Sequence, residues 1–206
     1  MHILTLGVAL LGSVVGSAQQ LTVTASLMDH AGAPKHMLQM AQEEAVYLAR
    51  TGGIRLQWVD SAPRDLIFVL KDCDCGATES AMGESLMGGP HRSMYSFIYF
   101  NRVSREARKT ELSPGYLLGD VIAHELGHLL GLSHAREGMM TAKWGDQEFA
   151  LLARRRLRFS HAEMKTMQEE IRVRRMVQNE ESDLLAPAAH QRSLRELWSN
   201  DGLNGN

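Results

Sequence analysis

His124, Glu125, His128 and His134 stand within one eleven-residue window. Histidines four apart on a helix face the same way, with Cβ atoms about 5–6 Å apart, so both imidazoles can reach one cation. Glu125, one position on from His124, flanks such a cation rather than competing for it. A carboxylate there can take a proton from metal-bound water and pass it to a leaving amine. Gly131 then breaks the helix, and the turn lets the chain fold back and offer His134 as a third ligand. Three neutral imidazoles leave a tetrahedral Zn2+ one open position, where the pKa of water falls to about 7 in favourable sites. The reaction class that follows is metal-assisted hydrolysis of an amide or similar acyl bond. Glu137 and Glu148 are available as a third ligand instead, but His134 makes them unnecessary.

The elements that must position these groups are legible in outline. Ser113 is placed as an N-cap and Pro114 in the first turn of a helix reaching Leu130, with Gly131 at its end. Upstream, Leu21–Leu27 alternates apolar and polar residues as a half-buried strand does. A helix from Pro34 carries Ala41, Ala45, Leu48 and Ala49 at helical spacing and stops at Thr51-Gly52-Gly53. Ile54–Val59 and Leu66–Leu70 are strands by composition, residues 81–87 a short irregular strand bounded by Gly88-Gly89-Pro90, and Met94–Val103 the strongest strand signal. Beyond the histidines lie a short helix around Gln147–Arg155 and a long one opened by Ser160 and Glu163, spaced as a capping box. The order of elements predicts an α+β domain: a mixed twisted sheet of about five strands, a backing helix, an active-site helix and a C-terminal helix.

Composition bounds the rest. The chain of 206 residues has 22 Lys+Arg against 24 Asp+Glu, a net charge of −2 and 44% hydrophobic residues. That suits one soluble domain and disfavours both wholesale disorder and a basic nucleic-acid binder. Two cysteines make neither a disulfide framework nor an all-cysteine zinc site. Residues 3–16 are uncharged and apolar or small, and lead into Gly16-Ser17-Ala18, small residues at the −3 and −1 places of a cleavage site. This predicts a signal peptide over residues 1–18, a catalytic domain over 19–180 and a polar, loose tail over 181–206, with the product secreted or periplasmic. No later run is apolar enough to span a membrane.

The full pattern His-Glu-x-x-His-x-x-Gly-x-x-His fixes five residues. At about one in twenty each, it arises by chance about once in ten thousand chains of this length. The sequence resembles the metzincin zinc metallopeptidases, whose motif matches His124, Glu125, His128, Gly131 and His134 at every fixed position. The short link from His134 to Met140 resembles compact bacterial, matrixin-like members. The resemblance implies a zinc endopeptidase with His124, His128 and His134 as ligands, Glu125 as general base and Met140 in a methionine turn beneath the metal. It also implies that residues 81–87, with Gly83, Glu84 and Ser85 at their centre, form an edge strand that pairs with a peptide or protein substrate. Thr141 stands where some members carry a tyrosine ligand, and no pro-segment follows the signal peptide. A secreted, non-catalytic module using zinc only to hold its fold is the alternative. Glu125 discriminates, since a structural histidine site needs no carboxylate beside it.

Other features have plainer readings. Cys73 and Cys75, two apart, are expected to be free or to crosslink chains, rather than to bond to each other or cap the metal. The arginines at 154, 155, 156, 158, 172, 174 and 175 are expected on solvated helix faces. His30, His36, His91, His161 and His190 lack ligand partners and default to the surface. Trp144 either lines a specificity pocket or fills the core, the core being favoured.

Overall fold

The computed structural model describes residues 21–61, 65–73, 75, 81–86 and 94–200, the side chains of 181–200 excepted. The expected signal peptide, Gly88-Gly89-Pro90, His91 and the side chain of His190 lie outside the described residues.

Among the described residues ten elements follow in order: β1 (Leu21–Asp29), α1 (Lys35–Thr51), β2 (Ile54–Trp58), β3 (Leu66–Lys71), β4 (Gly83–Ser85), β5 (Tyr95–Tyr99), α2 (Phe100–Thr110), α3 (Pro114–Leu129), α4 (Asp146–Ala153) and α5 (His161–Asn200). The strands form one mixed sheet in the order β2-β1-β3-β5-β4, all parallel except β4, which runs antiparallel to β5 at the edge. The α+β architecture expected from the sequence is the one observed.

The core lies between this sheet and the pair α1 and α3. From the sheet come Val23, Ala25, Ile54, Leu56, Leu66, Phe68, Leu70 and Ile98. Ala41, Ala45, Leu48 and Ala49 of α1 meet Leu118, Val121 and Ile122 of α3 in the same cluster. Each large aliphatic side chain so buried contributes about 1.5–3 kcal/mol. Helix α3 is buried nearly all round, so its position is set by packing on both sides. At its end Gly131 takes φ 88, and the N–H groups of Gly131 and Leu132 bond back to the carbonyls of His128 (3.0 Å) and Gly127 (2.9 Å). This is a Schellman closure, in which glycine carries the left-handed residue without the Cβ penalty.

Three expectations need correction. The strand at Met94 ends at Tyr99, and Phe100–Thr110 is a helix. Arg102, Val103 and Ala107 are its buried face, and an apolar run alone cannot distinguish a strand from the first turn of a buried helix. Helix α5, opened by the expected capping box (Ser160 N to Glu163 Oε2 2.6 Å; Glu163 N to Ser160 Oγ 3.3 Å), runs to Asn200 and so takes in residues 181–200, expected as a loose tail. Polar residues such as Gln, Glu and Arg are good helix formers, so a polar stretch is not a helix stop. Cys73 and Cys75 are disulfide-bonded to each other, their Cα atoms 5.2 Å apart and within bridging range.

Several arginines, finally, fasten distant elements together as well as meeting solvent. Arg155 pairs with buried Glu44 and lies over the rings of Tyr47 and Tyr116. Arg174 bonds Glu170 (2.8 Å) and the carbonyl of Leu129, and Arg175 donates to the carbonyl of Thr22 at 2.7 Å.

Candidate metal centre

Helix α3 presents His124 and His128 one turn apart, and the chain beyond Gly131 returns His134 to them. The Nε2 of His128 lies 3.1 Å from that of His124 and 3.1 Å from that of His134. All three ligand atoms fall within 4.8 Å of one another, the one such cluster among the described residues.

The protonation pattern follows from the opposite side of two of the rings. Nδ1 of His124 is 2.7 Å from the carbonyl of Met139, and Nδ1 of His128 is 2.8 Å from that of Leu132. A carbonyl only accepts, so in both rings Nδ1 carries the proton and Nε2 the lone pair. Burial pushes the His124 imidazole down to about 4 and lowers His128 as well, keeping both neutral. The lone pairs of His124 and His128 face one another at 3.1 Å, an arrangement that suits a cation between them. Zn–N bonds of 2.0–2.1 Å in a tetrahedron place neighbouring nitrogens about 3.3 Å apart, so the residues present fit zinc.

The loop from Gly131 to Thr141 supplies both the third ligand and an orienting carbonyl. Ala135 N bonds Met140 O at 2.8 Å, and Thr141 N bonds Gly138 O at 3.2 Å, closing a tight turn. Met140 is fully buried, and a Cβ added to Gly127 would lie 2.5 Å from its sulfur, so this side chain packs directly against α3 between the two helical ligands. Trp144 is buried edge-on to His124, ring centroids 5.7 Å apart, and donates to Met139 O at 3.3 Å. It packs as core support for the His124 ring.

Glu125 is 3% exposed. Its carboxylate turns toward the sheet edge: Ser85 Oγ donates to Oε2 at 2.7 Å, and Ser96 Oγ stands 3.3 Å from the same oxygen. Burial pushes its pKa up to about 7, against the pull of those two hydroxyls. Gly83 lies against the other oxygen, since a Cβ there would be 2.4 Å from Oε1. Glu84 faces away to accept from Tyr99 Oη at 2.9 Å; burial first, then this bond, pushes the Tyr99 phenol up to about 12. Buried Arg102 of α2 donates to Ala81 O at 2.8 Å and lies 4.6 Å over the Tyr99 ring, fastening the approach to β4.

The residues predicted at the site thus come together: the three histidines, Glu125, Met140, Gly83 and Ser85. Glu137 is exposed, and Glu148 is committed to capping α4 through Gly145 N at 2.9 Å, so neither joins the histidines. His30, His36 and His161 are exposed. Sequence reasoning missed Ser96 and Arg102. Ser96 had a signal, a small polar residue between tyrosine and phenylalanine in a strand; Arg102 was hidden by the strand reading of its segment.

Fold and site together define an α+β protein with three histidines, two on α3 and one on the loop beyond it, placed where they could hold a metal ion. The solved structure of archaemetzincin from Methanopyrus kandleri has a similar fold: the match covers 73% of this chain and 96% of that one, at a TM-score of 0.51 and 14% identity. No family model matches the chain. No curated protein matches it either.

Proposed function

We propose that this chain is an exported zinc-dependent endopeptidase of the compact, matrixin-like metzincin type. The observation that carries the reading is the convergence of three imidazole Nε2 atoms, two of them fixed as lone-pair bearers, beside a buried carboxylate that is not among them. A purely structural metal site closes with a fourth protein ligand, and none stands among the described residues. Export rests on residues 3–16 and the small residues at Gly16-Ser17-Ala18.

Zinc, when bound by His124, His128 and His134, supplies Lewis acidity that acidifies a water and polarises a substrate carbonyl. The chain's own part is positional and protonic. Glu125 takes a proton from the attacking water as its oxygen bonds to the carbonyl carbon. It then gives that proton to the amide nitrogen as the C–N bond breaks, yielding a carboxylic acid and an amine. The Met139 and Leu132 carbonyls fix the ligand tautomers throughout. The place of β4 as the last strand among the described residues supports an extended peptide running past Gly83, Glu84 and Ser85.

Incubating the zinc-loaded chain with a diverse peptide library tests the reading. Cleavage at internal bonds by wild type, absent with Glu125→Ala, is expected. Zinc uptake without cleavage in both would leave the non-catalytic binding module as the better account.

A further inference from the structure

We propose that Ser85 and Ser96 are positioning residues for Glu125: their hydroxyls hold Oε2 and so fix the direction of the carboxylate. This rests on the reading of Glu125 as general base.

A glutamate has three side-chain torsions, and one beside a trio of metal ligands can swing in and become a fourth. Two contacts and one clearance favour the position seen here. Ser85 Oγ donates to Oε2 at 2.7 Å, the shortest contact the carboxylate makes with a hydroxyl. Ser96 Oγ approaches the same oxygen at 3.3 Å from the neighbouring strand. The absence of a side chain at Gly83 provides the space that Oε1 and Cδ occupy, an added Cβ lying 2.4 and 2.8 Å from them. Ser85 and Ser96 are register partners across β4 and β5, so their side chains share one sheet face, the face turned to α3.

The two serines are not equivalent. A hydroxyl has one proton, and Ser96 Oγ also has Glu84 O within reach at 3.2 Å. The alternative acceptor for Ser85 is Glu125 O at 3.3 Å, a longer contact than its 2.7 Å bond to Oε2. Ser85 is therefore the principal hold and Ser96 a divided one. The principal hold also sits on the edge strand along which the substrate backbone would lie, so one strand both docks the peptide and aligns the base.

The test has two arms. In steady-state hydrolysis by the zinc-loaded chain, Ser85→Ala should lower kcat roughly tenfold or more, with KM changed less than about twofold and zinc content unchanged. Ser96→Ala should lower kcat less, about threefold, and Ser85→Thr, which keeps the hydroxyl, should retain most of the rate. The second arm needs no activity: thermal unfolding of the zinc-loaded chain in a double-mutant cycle. Ser85→Ala should lower the midpoint when residue 125 is glutamate and shift it by less than about one degree in the Glu125→Ala background.

Equal midpoint shifts in both backgrounds would overturn the proposal. So would unchanged kcat with the coupling intact, or a rise in KM alone, which would make Ser85 a substrate contact only. A wild-type chain that binds zinc and cleaves nothing refutes the proposed function, while the unfolding cycle still decides whether the serines hold Glu125.

Discussion

Helix α3 carries two buried carboxylates five residues apart, Asp120 at 6% exposure and Glu125 at 3%. Burial is the largest cause of a raised pKa at both. Their neighbours divide them. Asp120 lies on the side of α1, where Glu44 raises it further and Arg158 and Arg155 oppose the rise. Glu125 faces β4 and β5, where two serine hydroxyls hold it beside three converging imidazoles. Desolvation perturbs any carboxylate sealed in a helix interface. What makes one of them a candidate reagent is a cation site next to it and a fixed orientation, so a perturbed pKa alone does not find an active site here.

The comparison can be broken most directly by removing each acid. Glu125→Ala should lower peptide hydrolysis roughly 10²–10⁴-fold with zinc uptake unchanged, while Asp120→Asn should stay within about twofold of wild type. Comparable losses of rate would erase the distinction.

The metal side has its own contrast. His134→Ala should weaken zinc binding roughly a hundredfold or more, measured against a competing chelator. Glu148→Gln should leave zinc affinity unchanged and cost only about 1 kcal/mol through the weakened α4 cap. Gly127→Ala probes the floor of the site: its Cβ meets the Met140 sulfur, and the variant should lose about 1–3 kcal/mol in denaturant unfolding.

The smallest expected effect is a pH dependence. Because folding raises the Asp120 pKa, the carboxyl is neutral in both states in acid and adds no pH term there. As pH rises, the unfolded chain releases a proton that the folded chain retains, and stability falls until the folded carboxyl ionises too. Asp120→Asn removes that loss, so the difference in thermal midpoint between variant and wild type should grow in favour of the variant from about pH 4 to pH 8. A difference independent of pH would show that Asp120 ionises as freely in the fold as outside it.

Much of this site was legible because its signals are local. The spacing of His124 and His128 is one helical turn, and Gly131 marks where the chain must reverse. The alanines of α1 follow the helical period and are indeed buried against α3. What escaped was set by tertiary contacts. Ser96 lies far along the chain from Glu125, and only the β4–β5 register places it there. Helix α2 looked like a strand because its first residues, Phe100 and Val103, are apolar, while the fastening of Arg102 to Ala81 depends on where β4 lies. The partners of Arg155 and Arg174 also escaped, because each lies on an element distant in sequence and a charge run does not reveal it.

The central claim is that one zinc, held by His124, His128 and His134, acts together with Glu125. Its most direct test is a zinc titration of the chelator-stripped chain, following metal uptake and peptide hydrolysis together in wild type and Glu125→Ala. Hydrolysis by wild type should rise in step with uptake and level off at about one zinc per chain, while the variant takes up zinc equally and stays inactive. Hydrolysis that persists without zinc, or that the Glu125→Ala variant retains, would contradict the account.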